Sequence, residues 1–304
     1  EGKVTRPKKG AADEEVTLKG TVKMGDYAKA RNFTFVVLAE SEMGPTKEFA
    51  LDQVELLDDY YLTAQNSDIE FLKKFDNDRL LSRFRETAGL DTKKIAPYGG
   101  WEDGWLGGHS VGHYLTAIAQ AVKATGNADL KEKSKQLIKG LAECQNKLGT
   151  GFIFGAKIET EGYVEKQFDI LEGKTTGKTW VPWYNMHKML TGLVDTYKYT
   201  GNKQALEVAK KLGDWIYNRV SKWDAGTQGR VLGTEYGGMN DCLYELYLCT
   251  RDSKHLEAAH KFDQPNLYKT VAKGGKNCLN GKHANTTIPK FLGALKRYVV
   301  LEKT

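Results

Sequence analysis

A short connection recurs along this chain and limits the folds that the chain can adopt. Residues 125–127 and 200–202 both read Thr-Gly-Asn, and residues 250–252 read Thr-Arg-Asp, each between segments with helical periodicity. Glycine suits the left-handed residue just past a helix C-terminus, and Asn or Asp caps the helix that follows. Each copy therefore predicts a tight turn between antiparallel helices, and the copy without glycine is the weakest.

Helical periodicity continues on both sides of these turns. Apolar residues recur at three- and four-residue steps from about Leu51 onward, as at Val111, Leu115, Ile118 and Val122. Paired helices separated by long insertions favour a toroid over a compact bundle. We therefore predict a mainly α fold of the (α/α)6-barrel type. About four or five hairpins can be counted where a closed ring has six, so the barrel is expected to be incomplete.

Two details of the helical region are also predicted. The stretch 151–170 lacks helical period and is expected to form a loop or short hairpin on one rim, and the final helix is expected at 289–301. His255 and His260 lie on an amphipathic helix and are expected at the surface.

The first part of the chain has the period of strands instead. Val16, Leu18 and Val22, and then Phe33 and Phe35, alternate with polar residues around a Met-Gly-Asp turn, which predicts a hairpin. Two strands alone are only marginally stable in water. The hairpin and the preceding GKVTRP resemble the last strands of immunoglobulin-like modules in bacterial surface enzymes. We therefore predict an immunoglobulin-like remnant with its linker at 1–45 and the helical domain at 46–304.

Composition excludes several classes of protein. No apolar run reaches the roughly 20 residues that a membrane helix needs, so no membrane span is expected. The 45 basic and 39 acidic residues leave a net charge of +6, and the lysines are spread out rather than gathered. Nucleic acid is therefore not expected as a partner.

Metal and disulfide signals are weak. Cys144, Cys242, Cys249 and Cys278 lie far apart without CxxC or Cys/His spacing, which predicts free thiols and no zinc knuckle. Two histidines four residues apart, at 109 and 113, lack a third ligand in register, so hydroxyl binding or a hydrogen bond in the core is favoured there. No metal site and no cofactor is assigned from these residues.

Four segments combine Trp, Tyr, His and carboxylates just ahead of predicted helix starts, at 98–114, 180–188, 234–241 and 283–290. In a helical toroid the starts of the inner helices converge at one mouth. Flat aromatic faces stack on sugar rings, while imidazole, amide and carboxylate groups bind hydroxyls. The pattern therefore predicts a sugar site.

Other roles remain open for these residues. Trp183 and Tyr184 could be core aromatics. Gly237 and Gly238 are expected to allow a tight turn or a close backbone approach. An acid/base pair for glycoside cleavage could come from four loop carboxylates, although helix capping or ion pairing is their commoner fate. These four are Glu102, Asp103, Glu235 and Asp241. No catalytic residue is assigned.

Five motifs taken together resemble a known family. They are FDNDRLLSRFRETAGL at 75–90, GWEDGWLGGHSVGHYLTA at 100–117, WVPWYNMHKMLTGLVDTY at 180–197, EYGGMNDCLYELY at 235–247 and HANTTIPK at 283–290. In this order they resemble the β-L-arabinofuranosidases of glycoside hydrolase families 127 and 146 and their uncharacterised relatives. The resemblance runs from about Leu51 to the C-terminus.

The resemblance implies an (α/α)6 barrel that hydrolyses terminal arabinofuranose or a related sugar with retention. In that family a cysteine thiolate near a zinc ion is the nucleophile, a glutamate and further cysteines hold the zinc, and another glutamate is the general acid/base. The motifs that carry this chemistry follow the HANT segment in the family and are not found in this sequence. Zinc is therefore implied only for a complete family member.

The resemblance also suggests sugar-binding residues. His187 and His283 match family positions whose imidazoles contact the sugar, and Tyr236, His109 and His113 match more loosely. Together with the loop aromatics, the predicted substrate-binding residues are His187, His283, Tyr236, His109, His113, Trp183, Tyr184, Trp101 and Glu102.

These observations predict a part of a glycoside hydrolase that acts on plant-derived, arabinose-containing oligosaccharides or polysaccharides. The chain is expected to carry the sugar-binding part without the nucleophile and to be inactive alone, in a bacterial protein that is secreted or at the cell surface. Two alternatives remain: a non-catalytic carbohydrate-binding module, and an inverting glycosidase or polysaccharide lyase that uses carboxylates.

Overall fold

The computed structural model describes residues 14–24, 27–37, 49–156, 163–274 and 277–302. The chain divides into two compact units, Glu1–Ala50 and Leu51–Thr304. In the first unit, strands β1 (Glu14–Met24) and β2 (Tyr27–Val37) pair antiparallel.

The register of this pair places predicted apolar positions opposite each other. Val16 faces Phe35 and Leu18 faces Phe33, which confirms the predicted strands. The last two residues of the predicted Met-Gly-Asp turn, at 25–26, lie outside the described residues.

The second unit contains twelve α-helices among its described residues. They are α1 (Asp59–Lys73), α2 (Asn77–Thr87), α3 (His109–Thr125), α4 (Ala128–Leu148), α5 (Lys166–Leu171), α6 (Pro182–Thr200), α7 (Lys203–Val220), α8 (Ala225–Leu232), α9 (Met239–Thr250), α10 (Ser253–Lys261), α11 (Pro265–Ala272) and α12 (Ala284–Glu302). Single 3-10 turns lie at Leu51–Gln53 and Gly100–Glu102. The predicted mainly α fold of helical hairpins is confirmed.

The recurring connections form the predicted turns. Gly126 and Gly201 adopt left-handed φ values of 70° and 71°. The next residue caps the following helix in both cases: Asn127 accepts from the N–H of Leu130, and Asn202 accepts from that of Ala205. Each turn therefore ends one helix and starts its antiparallel partner.

The third connection keeps this geometry without glycine. Arg251 has a φ of 57°, and the Asp252 carboxylate accepts from the N–H of Lys254 at 3.0 Å. A left-handed residue with a Cβ costs roughly 1 kcal/mol, so the cap and the packing of the two helices must offset that cost.

The helices form two layers. In the inner layer α3 packs on α6, α6 on α9 and α9 on α12, while in the outer layer α4 packs on α7 and α7 on α10. The closest approach lies between α3 and α6. A Cβ at Gly112 would stand 2.1 Å from the carbonyl oxygen of Lys188, so a larger residue would force the two helices apart.

The stretch 151–170 differs in part from its prediction. Phe152 and Phe154 are fully buried, and Phe168 lies in α5 rather than in a loop. These rings pack against Trp183 and Trp215, because burying bulky apolar side chains in the core is more favourable than leaving them exposed on a rim. Residues 157–162 lie outside the described part.

Two further predictions need correction. Helix α12 begins at Ala284, five residues before the predicted start, since the N–H of Thr287 already bonds to the carbonyl of His283. His255 is 1% exposed and not at the surface, because its ring packs into the space left by the missing side chain of Gly213. His260 is half-buried.

Candidate functional site

One cavity collects residues from all four predicted loop segments. Its volume is about 410 Å³. Its wall is formed by Trp101, Leu106, His109, Trp180, Val181, Tyr184, Glu235, His283 and Asn285. We call it the loop cavity. Aromatic, imidazole, amide and carboxylate groups thus meet in one place.

The architecture of the inner layer explains this convergence. Helices α3, α6, α9 and α12 pack side by side, and each of the four loop segments lies at the N-terminal end of one of them. His109 is the first residue of α3, and Tyr184 lies in the first turn of α6. Their ring centroids are 6.3 Å apart. Parallel inner helices therefore bring loops that are distant in sequence to the same end of the layer.

Four predicted sugar-binding residues lie in the wall of the loop cavity: Trp101, His109, Tyr184 and His283. The indole of Trp101 is 71% exposed and available for stacking. The ammonium nitrogen of Lys188 lies 4.7 Å from the ring centroid of Tyr184. Burial, and then the charge of Glu235, raise the pKa of the Tyr184 hydroxyl, which therefore stays protonated as a donor.

A second cavity of about 490 Å³ shares Trp101 with the first. Glu102 and His113 are in its wall, together with apolar and aromatic side chains from α1 to α3. The rings of His113 and His109 meet edge to face with centroids 6.0 Å apart. The structure thus places Glu102 and His113 beside the loop cavity rather than in its wall.

Glu102 is the cap of helix α3. Its carboxylate accepts from the backbone N–H of Gly108 at 2.6 Å and of Ser110 at 3.0 Å, and lies 2.9 Å from Nδ1 of His109. Burial alone would raise the pKa of Glu102, but the hydrogen bonds from these three residues hold it below its usual value. A carboxylate that stays ionised in this way orients the helix start and His109.

His187 lies behind the turn that precedes α9. Its Nδ1 accepts from the N–H of Gly238 at 3.0 Å, and a Cβ at Gly237, whose φ is +59°, would stand 2.5 Å from that nitrogen. The predicted close backbone approach at these glycines is confirmed. Burial, and then Lys188, lower the pKa of His187 well below its usual value. The ring is thus neutral, with its proton on Nε2.

Trp183 and Tyr236 lie in the core rather than in a cavity wall. Both are fully buried. Trp183 packs edge to face on Phe168 and Phe262, which is the core alternative considered from the sequence. Tyr236 has the ammonium nitrogen of Lys290 at 4.6 Å from its ring centroid. Neither residue is part of the wall of the loop cavity, so their predicted role in sugar binding has no support from its geometry.

Only one of the four candidate acid/base residues reaches the loop cavity. Glu235 is the single acidic residue among the described residues of its wall. Asp103 is exposed and pairs with Arg83, and Asp241 lies on α9 away from the wall. Burial raises the pKa of Asp241 to about 6. A pair of carboxylates facing each other across this cavity is therefore not formed by these residues.

The cysteines do not fit the zinc centre that the resemblance implies. Cys144 and Cys242 are buried, and Cys249 and Cys278 are partly exposed; none is in a disulfide. Burial raises the pKa of Cys144 to about 11 and that of Cys242 well above its usual value, so neither favours a thiolate. Within the described ranges, no cysteine joins a His or carboxylate group that could hold a metal ion.

Several wall residues were not predicted. Trp180 and Asn285 stand within the loop segments singled out from the sequence, so their residue types were a usable signal. Leu106 and Val181 carried no such signal, because an apolar residue next to a helix start is as common in cores as in binding sites.

Among the described residues, no helix combines the length and the apolar character that crossing a bilayer requires.

Fold and cavity together define a protein of paired helices with an aromatic-lined polar site at the inner-helix starts. Residues 53–303 match the family model described as β-L-arabinofuranosidase, GH127 catalytic domain, and residues 1–40 match that of an atrophied bacterial Ig domain. The chain therefore belongs to the GH127 β-L-arabinofuranosidase catalytic-domain family, with an immunoglobulin-like remnant ahead of the helices.

Solved structures of two GH127 enzymes are similar to this chain. A GH127 β-L-arabinofuranosidase from Geobacillus stearothermophilus T6 has 17% sequence identity and a TM-score of 0.43, with 72% of this chain and 32% of that chain covered. Another GH127 β-arabinofuranosidase has 16% identity and a TM-score of 0.47, with 70% and 33% covered. This chain thus spans about a third of their length. No curated protein sequence matches it.

Proposed function

We propose that this chain forms the sugar-binding part of a glycoside hydrolase of the β-L-arabinofuranosidase type, acting on arabinose-containing glycans of plant origin. The observation that carries this proposal is the loop cavity, where four loops far apart in sequence contribute sugar-compatible side chains. Membership of the GH127 family supports the substrate class.

The wall of the loop cavity has the two kinds of group that a furanose ring needs. Trp101, Trp180 and Tyr184 offer apolar ring faces on which the C–H face of a sugar can stack. His283, Asn285 and Glu235 offer donors and acceptors for hydroxyl groups. A cavity of about 410 Å³ is large enough for one monosaccharide unit and part of its neighbour.

The nucleophile is proposed to come from outside these residues. A thiol in the family's role must be a thiolate next to a zinc ion, and no cysteine of this chain lines the loop cavity. We propose that this zinc centre belongs to a further part of the catalytic domain and that the chain alone does not hydrolyse glycosides.

Helix α12 has exposed apolar residues that support this view. They are Ile288, Leu292 and Leu295, each more than half exposed. Their spacing of four and three places them on one side of the helix. Such a stripe on a helix of the inner layer suits coverage by another helix. In the proposed assembly, further helical hairpins of the catalytic domain cover it.

The proposed location is secreted or at the cell surface of a bacterium. The match of residues 1–40 to an atrophied bacterial Ig domain supports this location, because immunoglobulin-like modules often accompany enzymes that act outside the cell.

Hydrolysis of an aryl β-L-arabinofuranoside tests the proposal. The chain alone should release no aryl alcohol above background, while a longer form with the family's cysteine motifs should turn over the substrate and lose activity when zinc is chelated. A matched longer form with Tyr184→Ala should bind more weakly and show a raised KM.

Two results would contradict the proposal. One is equal hydrolysis by the chain alone and by the longer form. The other is no hydrolysis by the zinc-loaded longer form, together with no binding of arabinofuranosides by either form.

A further inference from the structure

A cluster outside the loop cavity has the donors of a metal site. Asp214 on α7, Asp252 at the start of α10 and His255 on α10 each offer one ligand atom, and these atoms lie within 4.8 Å of one another. The cluster lies at the C-terminal end of α9, whereas the loop cavity lies at its N-terminal end.

The histidine in this cluster has an unsatisfied nitrogen. His255 is 1% exposed, and its Nε2 has no hydrogen-bond partner among the described residues. This nitrogen faces the carboxylate of Asp214 at 4.0 Å. A buried polar atom without a hydrogen-bond partner destabilises a protein, and a ligand that binds this nitrogen would remove that penalty.

The neighbours of the ring fix its tautomer. Nδ1 lies 2.8 Å from Oγ1 of Thr250, whose own proton is donated to the carbonyl of Leu246 at 2.9 Å. Nδ1 therefore carries the ring proton and donates, which leaves a lone pair on Nε2. A metal-binding histidine has this arrangement, with one nitrogen held by a second group and the other free to coordinate.

The protonation state of the ring agrees with this arrangement. Burial lowers the pKa of His255 and outweighs the opposing influence of Asp252, Asp214 and the Lys210 carbonyl. The neutral imidazole is the form that binds metals.

We propose that Asp214, Asp252 and His255 form a binding site for a divalent transition metal ion such as Zn²⁺. One imidazole and two carboxylates suit Zn²⁺, with solvent completing the coordination. Zinc ligands stand about 2.0–2.2 Å from the ion, so the two partly exposed Asp side chains must move inward by small rotations. Bound metal would join α7, α10 and the turn between α9 and α10.

One neighbour competes with the ion. The ammonium of Lys254 lies 3.4 Å from the Asp214 carboxylate, and both side chains are close to half exposed. Displacing this ammonium is inexpensive, since exposed ion pairs contribute little to stability. Removing the Lys254 charge should therefore strengthen metal binding.

Calorimetric titration of the chelator-treated protein with ZnCl₂ tests the site, with thermal unfolding as a second readout. We expect saturable binding and a higher Tm with Zn²⁺. Asp214→Asn and Asp252→Asn should each weaken binding at least about tenfold. Asp252→Asn keeps a residue that caps α10 well. Lys254→Gln should tighten binding.

Glu207→Gln is the matched control. Like Asp214, Glu207 is an acidic residue on α7, and its exposed side chain pairs with Lys210. It should bind Zn²⁺ as the unchanged protein does. The proposal is overturned if the unchanged protein shows no saturable binding, or if Asp214→Asn binds as tightly as Glu207→Gln. Equal zinc affinities of Asp214→Asn and Glu207→Gln would mean that any bound zinc is held by other groups, such as the thiols.

Discussion

The Nδ1 atom of His187 accepts a hydrogen bond from the backbone N–H of Gly238 at 3.0 Å, so helix α6 holds the turn that leads into α9. The glycine that precedes Gly238 in the sequence allows this contact. Gly237 has a φ of +59°, and its Cβ, if present, would stand 2.5 Å from the same nitrogen. Glu235, which lies in the wall of the loop cavity, is carried by this turn.

Gly237→Ala should therefore destabilise the protein by roughly 2–4 kcal/mol, through left-handed strain and the clash with His187. Urea unfolding measures this change. Gly229→Ala is the matched control, because a Cβ there meets no atom within 4 Å, and it should be neutral or slightly stabilising. Equal stability of the two variants would mean that the turn moves freely away from His187.

Glu102→Gln should destabilise the protein by about 1–2 kcal/mol. The side chain that caps α3 becomes neutral, and an NH₂ group, which cannot accept a hydrogen bond, replaces one of the two oxygens that accept from backbone N–H groups. Denaturant unfolding at pH 7 measures the loss. Asp103→Asn, next to it but exposed, should change stability by less than about 0.5 kcal/mol. A similar loss in both variants would argue against capping by Glu102.

Arg251→Gly should stabilise the protein by about 0.5–1 kcal/mol, because glycine removes the Cβ strain of a left-handed residue. The reciprocal change Gly201→Ala should destabilise by a similar amount at the equivalent turn, where φ is 71°. Thermal unfolding should show a higher Tm for Arg251→Gly and a lower Tm for Gly201→Ala than for the unchanged protein. A loss of stability in Arg251→Gly would show that the arginine side chain contributes more than the strain costs.

Asp241→Asn should stabilise the protein at pH 8 and much less at pH 4. Burial raises the pKa of Asp241 to about 6, above the unfolded value near 3.8, so the folded protein favours the protonated acid. Stability from this group is lost as pH rises from about 4 through 6, and the loss is at most about 3 kcal/mol. Unfolding curves at both pH values measure it, and a gain independent of pH would contradict the assignment.

The fold could be predicted largely from local signals. The cap residues Asn127, Asn202 and Asp252 act on backbone groups two or three positions away, so the turns are readable in the sequence. Helix α5 was missed because its short amphipathic signal depends on distant partners, Trp183 and Trp215, that no local window contains.

The candidate site could be predicted by segment but not by residue. Residue types identified the four loops that meet in the loop cavity. They did not separate Tyr184, which lies in its wall, from Trp183 beside it, which lies in the core. Adjacent residues on a helix point about 100° apart, so the choice depends on how α6 is rotated against its neighbours. His255 was misplaced for the same reason, because its burial requires Gly213 on another helix.

Protein-observed NMR during titration with methyl β-L-arabinofuranoside tests the central claim most directly, since it detects weak binding at about millimolar Kd. Chemical-shift changes should concentrate at Trp101, Tyr184 and His283. Tyr184→Ala should weaken binding at least about fivefold. Tyr60→Ala, a similarly aromatic but exposed position on α1, should leave it unchanged. Shift changes located away from the loop cavity, or equal binding by both variants, would contradict the account.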